Sequence, residues 1–213
     1  MHEDGVIKYR CVWESGAPFT HQQLISLMIW RDRLHEAGLI GVYADGIGFG
    51  NISQRLTPTS FLISGTQTGQ YPTTTSAHYT LVDQWDIRQN TLHCMGPLKA
   101  SSESLTHAAL YEYSADIQAI VHVHHQGLWT TYRDVLPTTH ANVPYGTPAM
   151  ADEMWRLFRE SNLSDQKILV MAGHQDGLIA FGKTLEAAAA NLLTLLASEK
   201  GHDSLSDNER QLA

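Results

Sequence analysis

The chain has 213 residues, of which 43% are hydrophobic and 17% charged, with a formal net charge of −8. This fits one domain with a substantial core and excludes wholesale disorder, and the acidic balance without a local basic cluster excludes a general nucleic-acid binder. No apolar run reaches the roughly 18–20 residues of a membrane span, and MHEDGVIKYR lacks the basic start and apolar core of a signal peptide, so a cytoplasmic location is expected.

Residues 1–17 show no periodic pattern and are expected to form an arm. Thr20 and Gln23 make a capping-box pattern, Leu24, Leu27, Met28 and Leu34 recur at helical spacing, and Gly38 ends the run. Gly50 to Arg55 and Phe61 to Ser64 read as strands, followed by a Gly, Thr and Gln-rich loop from Gly65 to Thr75. Tyr79–Trp85 and Thr91–Met95 are two further strands. Ser101 or Ser102 is the expected cap of a second helix that buries Leu105, Ala108 and Ala109. A strand over Ile117–His124 follows, then a helix from Gly146-Thr147 to about Arg159. Lys167–Met171 and Gly177–Gly182 are strands. Thr184 caps the last helix, whose stripe is Leu185, Ala188, Ala189, Leu192 and Leu196, and Gly201 is expected to end it before a polar tail over 201–213. Short strands in the middle with helices around them predict a single layered α/β or α+β domain over 1–213, with an antiparallel or mixed sheet.

The chemistry centres on Ala119-Ile-Val-His-Val-His124. Alternate side chains of a strand share a face, so His122 and His124 project together, roughly 7 Å apart along the chain. Two imidazoles so placed can converge on one cation; the alternative is two polar residues on a wet sheet face. His125 points the other way. Cys11 and Cys94 are too few for a disulfide framework or a thiolate zinc site, so a metal here must use histidine and carboxylate. A third ligand has to come from His140 or from the turn Gly173-His-Gln-Asp-Gly177, where a histidine between glycines is an unusual turn residue. Ser101-Ser102-Glu103 opens a helix, where free N–H groups favour an anion, although an ordinary cap explains it too. Gly50-Asn51 and Ser64-Gly65 are plain turns or, with Ser101 and Ser102, parts of a phosphate pocket built from backbone N–H groups and hydroxyls.

The order of these pieces resembles the class II aldolase/adducin superfamily, the fold of zinc-dependent fuculose-1-phosphate aldolase, from about Thr20 to Glu199. The matching pieces are Gly50-Asn-Ile-Ser-Gln-Arg55, Ser64-Gly65, Ser101-Ser-Glu103 with His107, His122-Val-His124, Gly146-Thr147 and Gly177-Leu-Ile-Ala180. The resemblance implies a layered α/β/α domain with a central mixed, largely antiparallel sheet. It implies His122 and His124 as metal ligands and Glu103 as the catalytic acid/base. Gly50, Asn51, Ser64, Gly65, Ser101 and Ser102 would form the sugar-phosphate pocket. The implied enzyme is a homo-oligomer, usually a tetramer, that uses a divalent metal, expected to be Zn²⁺. It would act as a lyase on a small hydroxy-carbonyl sugar or sugar phosphate through a metal-stabilised enediolate.

Two departures bear on this expectation. The superfamily usually has His-Gly at the third ligand; here His174 is the expected ligand, while an ungapped alignment on Gly177-Leu-Ile-Ala180 would put Asp176 there. The aldolase also places a proton-donating tyrosine after Pro-x-x-His, whereas Pro137-Thr-Thr-His140 is followed by Ala141. Tyr132 and Tyr145 are the candidates to replace it. Dehydration, decarboxylation or epimerisation at the same metal site therefore stay open, the last disfavoured because the epimerase carries aspartate at the Glu103 position. A non-catalytic, adducin-like binding module should have lost the ligand set, which this sequence keeps.

Overall fold

The computed structural model describes residues 6–211, with side chains described as far as Glu199. In chain order the elements are β1 (Arg10–Ser15), α1 (His21–Glu36), β2 (Gly41–Val42), β3 (Gly48–Phe49), β4 (Asn51–Thr57) and β5 (Ser60–Ser64). Then come β6 (Tyr79–Asp86), β7 (Thr91–Gly96), α2 (Ser104–Tyr113), β8 (Ala119–His124), α3 (Gln126–Tyr132) and α4 (Pro148–Glu160). The chain continues through α5 (Leu163–Gln166), β9 (Ile168–Val170), β10 (Gly177–Gly182) and α6 (Leu185–Gln211).

Eight strands form one sheet in the order β1-β7-β6-β5-β4-β8-β10-β9. Every neighbouring pair is antiparallel except β1 and β7. The sheet is therefore mixed and largely antiparallel, as expected. One face packs against α2 and α4 through Leu105, Ala108, Ala109, Met150, Met154 and Leu157. The other packs against α1, α3 and α6 through Leu24, Leu27, Leu128, Leu185, Ala188 and Leu192. Alternation along β8 feeds both cores: Ile120 joins the first, Val121 and Val123 the second.

Two terminal expectations differ from the structure. Part of the expected arm, Arg10–Ser15, pairs in parallel with Thr91–Gly96 as an edge strand. Five of its six residues are exposed and one is half-buried, so its apolar residues carry no alternating core signal. At the other end, α6 runs past Gly201 to Gln211. A glycine within a helix costs about 1 kcal/mol and does not by itself end one. The side chains of the expected polar tail, 201–213, lie outside the described ones.

Helix α1 begins with the expected box: the Thr20 N–H and hydroxyl both donate to Gln23 Oε1, at 3.0 and 2.7 Å. Its buried stripe contains a charge, Arg31, among Leu24, Leu27, Met28 and Leu34. Arg31 is 1% exposed. Its guanidinium donates to the carbonyls of Thr68 (2.8 Å), Gly69 (3.2 Å), Pro72 (3.3 Å) and Tyr71, and pairs with Asp32 at 3.2 Å. Asp32 accepts in turn from the N–H and hydroxyl of Thr74. Helix α1 thereby pins the loop of residues 65–75. Burial pulls the Arg31 pKa down, and the hydrogen bond to Asp32 opposes it; a guanidinium stays charged regardless.

Replacing this donor leaves buried carbonyls without partners. Arg31→Met is expected to lower unfolding free energy by at least the order of 1–3 kcal/mol of one such loss, read from urea denaturation. It should also expose residues 65–75 to limited proteolysis. An unchanged urea midpoint would show that the loop is held by other means.

Candidate metal centre and cleft

Strand β8 lies between β4 and β10, so its backbone is hydrogen-bonded on both sides and all six of its residues are buried. His122 and His124 are thus buried, at 1% and 4% exposed, and not on an open sheet surface. Opposite His124 in β10 stands Gly177. A Cβ there would lie 2.8 Å from His174 Cδ2 and 3.3 Å from His122 Cε1. The missing side chain is what lets the His174 imidazole, brought in by the β9–β10 turn, reach the strand pair. The ligand atoms of His122, His124 and His174 all lie within 4.8 Å of one another.

The ring environments suit ligation. His122 Nδ1 is 3.0 Å from the Leu178 carbonyl and must donate to it, which leaves the Nε2 lone pair facing the cluster. Burial pulls the His122 pKa down to about 4, against the bond to Leu178. Burial first, then the fields of His122 and Lys8, hold His174 well below the ordinary imidazole value. Rings that are neutral at neutral pH are the form a cation needs. Asp176, the alternative third ligand, is outside the cluster. It lies with Ala141, Gly173 and Gln175 along a separate surface pocket. His140 is exposed and paired with Glu153 at 3.1 Å.

Glu103 is 2% exposed and sits as the N-cap of α2, which starts at Ser104 rather than directly after Ser101 or Ser102. Its Oε2 accepts from Thr106 Oγ1 at 2.9 Å and its Oε1 is 3.5 Å from His174 Nε2. The carboxylate is therefore fixed at the edge of the histidine cluster. His107 does not orient it. The His107 Nδ1 is 2.7 Å from Ser53 Oγ, which is 2.8 Å from Tyr111 Oη, and its Nε2 is buried without a hydrogen-bond partner among the described residues.

A cleft opens from this cluster, lined by Gly48–Asn51, Gly65–Gly69, Ser101, Ser102, Glu103 and the three histidines. Gly50, Asn51, Gly65, Ser101 and Ser102 are together there. Ser64 is not: its hydroxyl lies behind the wall, where it accepts the Ile52 N–H at 3.2 Å. Thr66, Gln67 and Thr68 stand on the wall instead. Gly50 has φ +76°, and a Cβ there would be 2.8 Å from Ile40 Cγ1, so only glycine allows this approach beside His122. Asn51 Oδ1 is buried without a partner among the described residues; a substrate hydroxyl is a suitable donor.

The sequence reading missed Arg31, which holds the 65–69 wall, and Tyr43, whose hydroxyl is 2.7 Å from His124 Nδ1. A charge inside an apolar helical stripe was the available signal for Arg31; Tyr43 had none. Of the candidate proton donors, Tyr132 packs on the opposite core. Tyr145 is buried with its ring centroid 4.3 Å from that of His174, and its hydroxyl donates to the Val6 carbonyl.

The model of the Class II Aldolase and Adducin N-terminal domain matches residues 43–198, and the chain belongs to that family. Its fold is that of solved class II aldolases. A sugar-phosphate aldolase from Thermotoga maritima matches with a TM-score of 0.63 at 17% identity, over 84% of this chain and 93% of that one. An L-fuculose-1-phosphate aldolase from Thermus thermophilus matches at 0.60 and 22% identity, over 85% and 93%. A further L-fuculose 1-phosphate aldolase matches at 0.61 and 18%, over 90% and 89%. No helix among the described residues is long and apolar enough to cross a membrane.

Burial holds His107 well below the ordinary imidazole value. The unfolded chain takes up a proton below about pH 6.5 that the folded chain refuses, so the stabilising effect is whole above that pH and lost as pH falls. Stability should drop by about 1.4 kcal/mol per pH unit for each such histidine below about pH 6.5. His107→Gln should flatten this slope in urea denaturation run as a pH series. A variant slope equal to that of the parent would remove His107 from the account.

Proposed function

We propose that the chain is a metal-dependent carbon–carbon lyase, aldolase-like, acting on a small hydroxy-carbonyl sugar or sugar phosphate. The observation that carries this reading is the meeting of three buried imidazoles and one fixed carboxylate at the end of a cleft. His122, His124 and His174 would hold the divalent cation, with Zn²⁺ the ion that three imidazoles suit. When bound, the ion would act as a Lewis acid toward neighbouring carbonyl and hydroxyl oxygens of the substrate and support an enediolate.

The protein's own groups then divide the work. Glu103 takes and returns the proton at the reacting substrate, held in place by Thr106. Asn51 Oδ1 accepts a substrate hydroxyl. Ser101, Ser102 and the backbone of Gly50 and Gly65, joined by Thr66, receive the polar or phosphorylated end. The β8 core and α2 exclude water from behind the site.

One observation favours a second reading of the reaction type. Ala141 lies along a separate pocket, and the Tyr145 hydroxyl is directed to the Val6 carbonyl. Enolisation needs only the metal and Glu103, so dehydration, decarboxylation or epimerisation would use the same site without the aldolase's tyrosine. A non-catalytic adducin-like module is disfavoured by the retained ligand set. A cytoplasmic homo-oligomer, probed as a tetramer by light scattering, belongs to the same proposal.

Glu103→Gln is expected to keep bound metal while turnover falls by ~10²-fold or more. Metal content by elemental analysis, alongside assays of ketose phosphates for released aldehyde, water loss or CO₂, reads both sides. Parent protein that takes up well under one equivalent of divalent metal after reconstitution would sink the proposal.

A further inference from the structure

The two histidines of β8 are held by different kinds of partner. His122 Nδ1 faces a backbone carbonyl, Leu178 O, at 3.0 Å, and a carbonyl can only accept. This ring has one neutral form available, with the proton on Nδ1 and the lone pair on Nε2. His124 Nδ1 faces a phenol instead, the Tyr43 hydroxyl at 2.7 Å. A hydroxyl donates or accepts, so it leaves the tautomer of His124 open.

Tyr43 is well placed to act as a defined partner. It sits in the turn between β2 and β3, where its N–H donates to Ile47 O and its carbonyl accepts from Gly46 N–H, both at 2.9 Å. Its ring packs at 4.5 Å against Phe49, and it meets the His124 ring edge-on at 6.0 Å between centroids. Phe49 touches the same imidazole from another side, at 5.6 Å. The hairpin thus grips His124 with two rings and one hydroxyl.

His124 Nε2 lies 3.0 Å from His122 Nε2, so both rings present Nε2 to the same cluster. A neutral imidazole that offers Nε2 to a cation carries its proton on Nδ1. That Nδ1–H needs an acceptor, and the Tyr43 oxygen stands at hydrogen-bond distance to be one.

We infer that Tyr43 is a positioning residue for the metal centre: its hydroxyl, as acceptor for the His124 Nδ1–H, holds that ring with Nε2 toward the cation. The inference rests on the reading of His122, His124 and His174 as a metal site. It makes no use of the reaction carried out there.

The experiment titrates the purified full chain and its Tyr43→Phe variant with Zn²⁺ against a competing chelator. Phenylalanine keeps the ring that packs on Phe49 and removes only the hydroxyl. Loss of such an outer partner is expected to weaken metal affinity by about 10- to 100-fold, with the melting temperature of the metal-free variant unchanged. Long-range ¹H–¹⁵N correlation spectra of the parent add a reading that a structural role would not move. In the zinc-bound parent both His122 and His124 should be protonated at Nδ1. Parent protein that binds no zinc overturns the metal reading itself. Zinc binding by the parent with equal affinity in Tyr43→Phe, or a His124 ring without a proton on Nδ1 in the zinc-bound parent, overturns the role of Tyr43 alone. If Tyr43→Phe does not fold, the spectra of the parent decide the matter.

Discussion

A strand that is paired along both edges and buried along its whole length disfavours the charged form of a side chain it carries. That constraint on β8 governs the site. Desolvation makes the imidazolium of His122 unfavourable, and the Leu178 carbonyl then fixes which nitrogen bears the remaining proton. What is left is a lone pair aimed inward, supported by a rigid sheet instead of a mobile loop. The glycine opposite His124 extends the same logic, because a side chain there would occupy the space that the His174 ring takes. Ligand-ready nitrogens are thus a consequence of the place of β8 between β4 and β10.

The cleft walls come from the other kind of structure, turns and loops, and they are tied to the layers rather than part of them. Arg31 reaches from α1 to four carbonyls of the 68–72 stretch. The hairpin β2–β3 brings Gly48 and Phe49 to the cleft and Tyr43 to His124. Glu103 stands where α2 begins, with the first turn supplying Thr106 to hold it. The sheet fixes the histidines; loops braced by single polar side chains shape the space in front of them.

Much of the scaffold was legible because its elements announce themselves locally. Thr20 with Gln23, Thr147 before Pro148 and Thr184 before Leu185 mark helix starts by cap chemistry, and the structure uses each of them. The strands from Asn51 to Met95 alternate between turn residues and stand close to where expected. Helix α3 escaped notice because Gln126-Gly-Leu-Trp-Thr-Thr-Tyr132 combines a glycine with two β-branched residues and is capped by a histidine. Spacing singled out His122 and His124, resemblance singled out Glu103, and the structure groups His174, not Asp176, with the two strand histidines. Ser64 was assigned from a motif, but a strand residue next to a turn can face either way, and this one faces Ile52. Tyr43 and Arg31 act across long sequence separations, which no local pattern encodes.

The N-terminal strand has a consequence for how the molecule is made. Tyr9 donates to the Ser101 carbonyl at 2.8 Å, and Arg10–Ser15 pairs with Thr91–Gly96. Each contact joins stretches some eighty to ninety residues apart in the sequence, the second made after the first. During translation β1 is made well before β7, the strand it pairs with. The Tyr9 brace on the loop bearing Ser101 and Ser102 accordingly closes only after both stretches exist, which ties one wall of the cleft to a long-range contact instead of a local one.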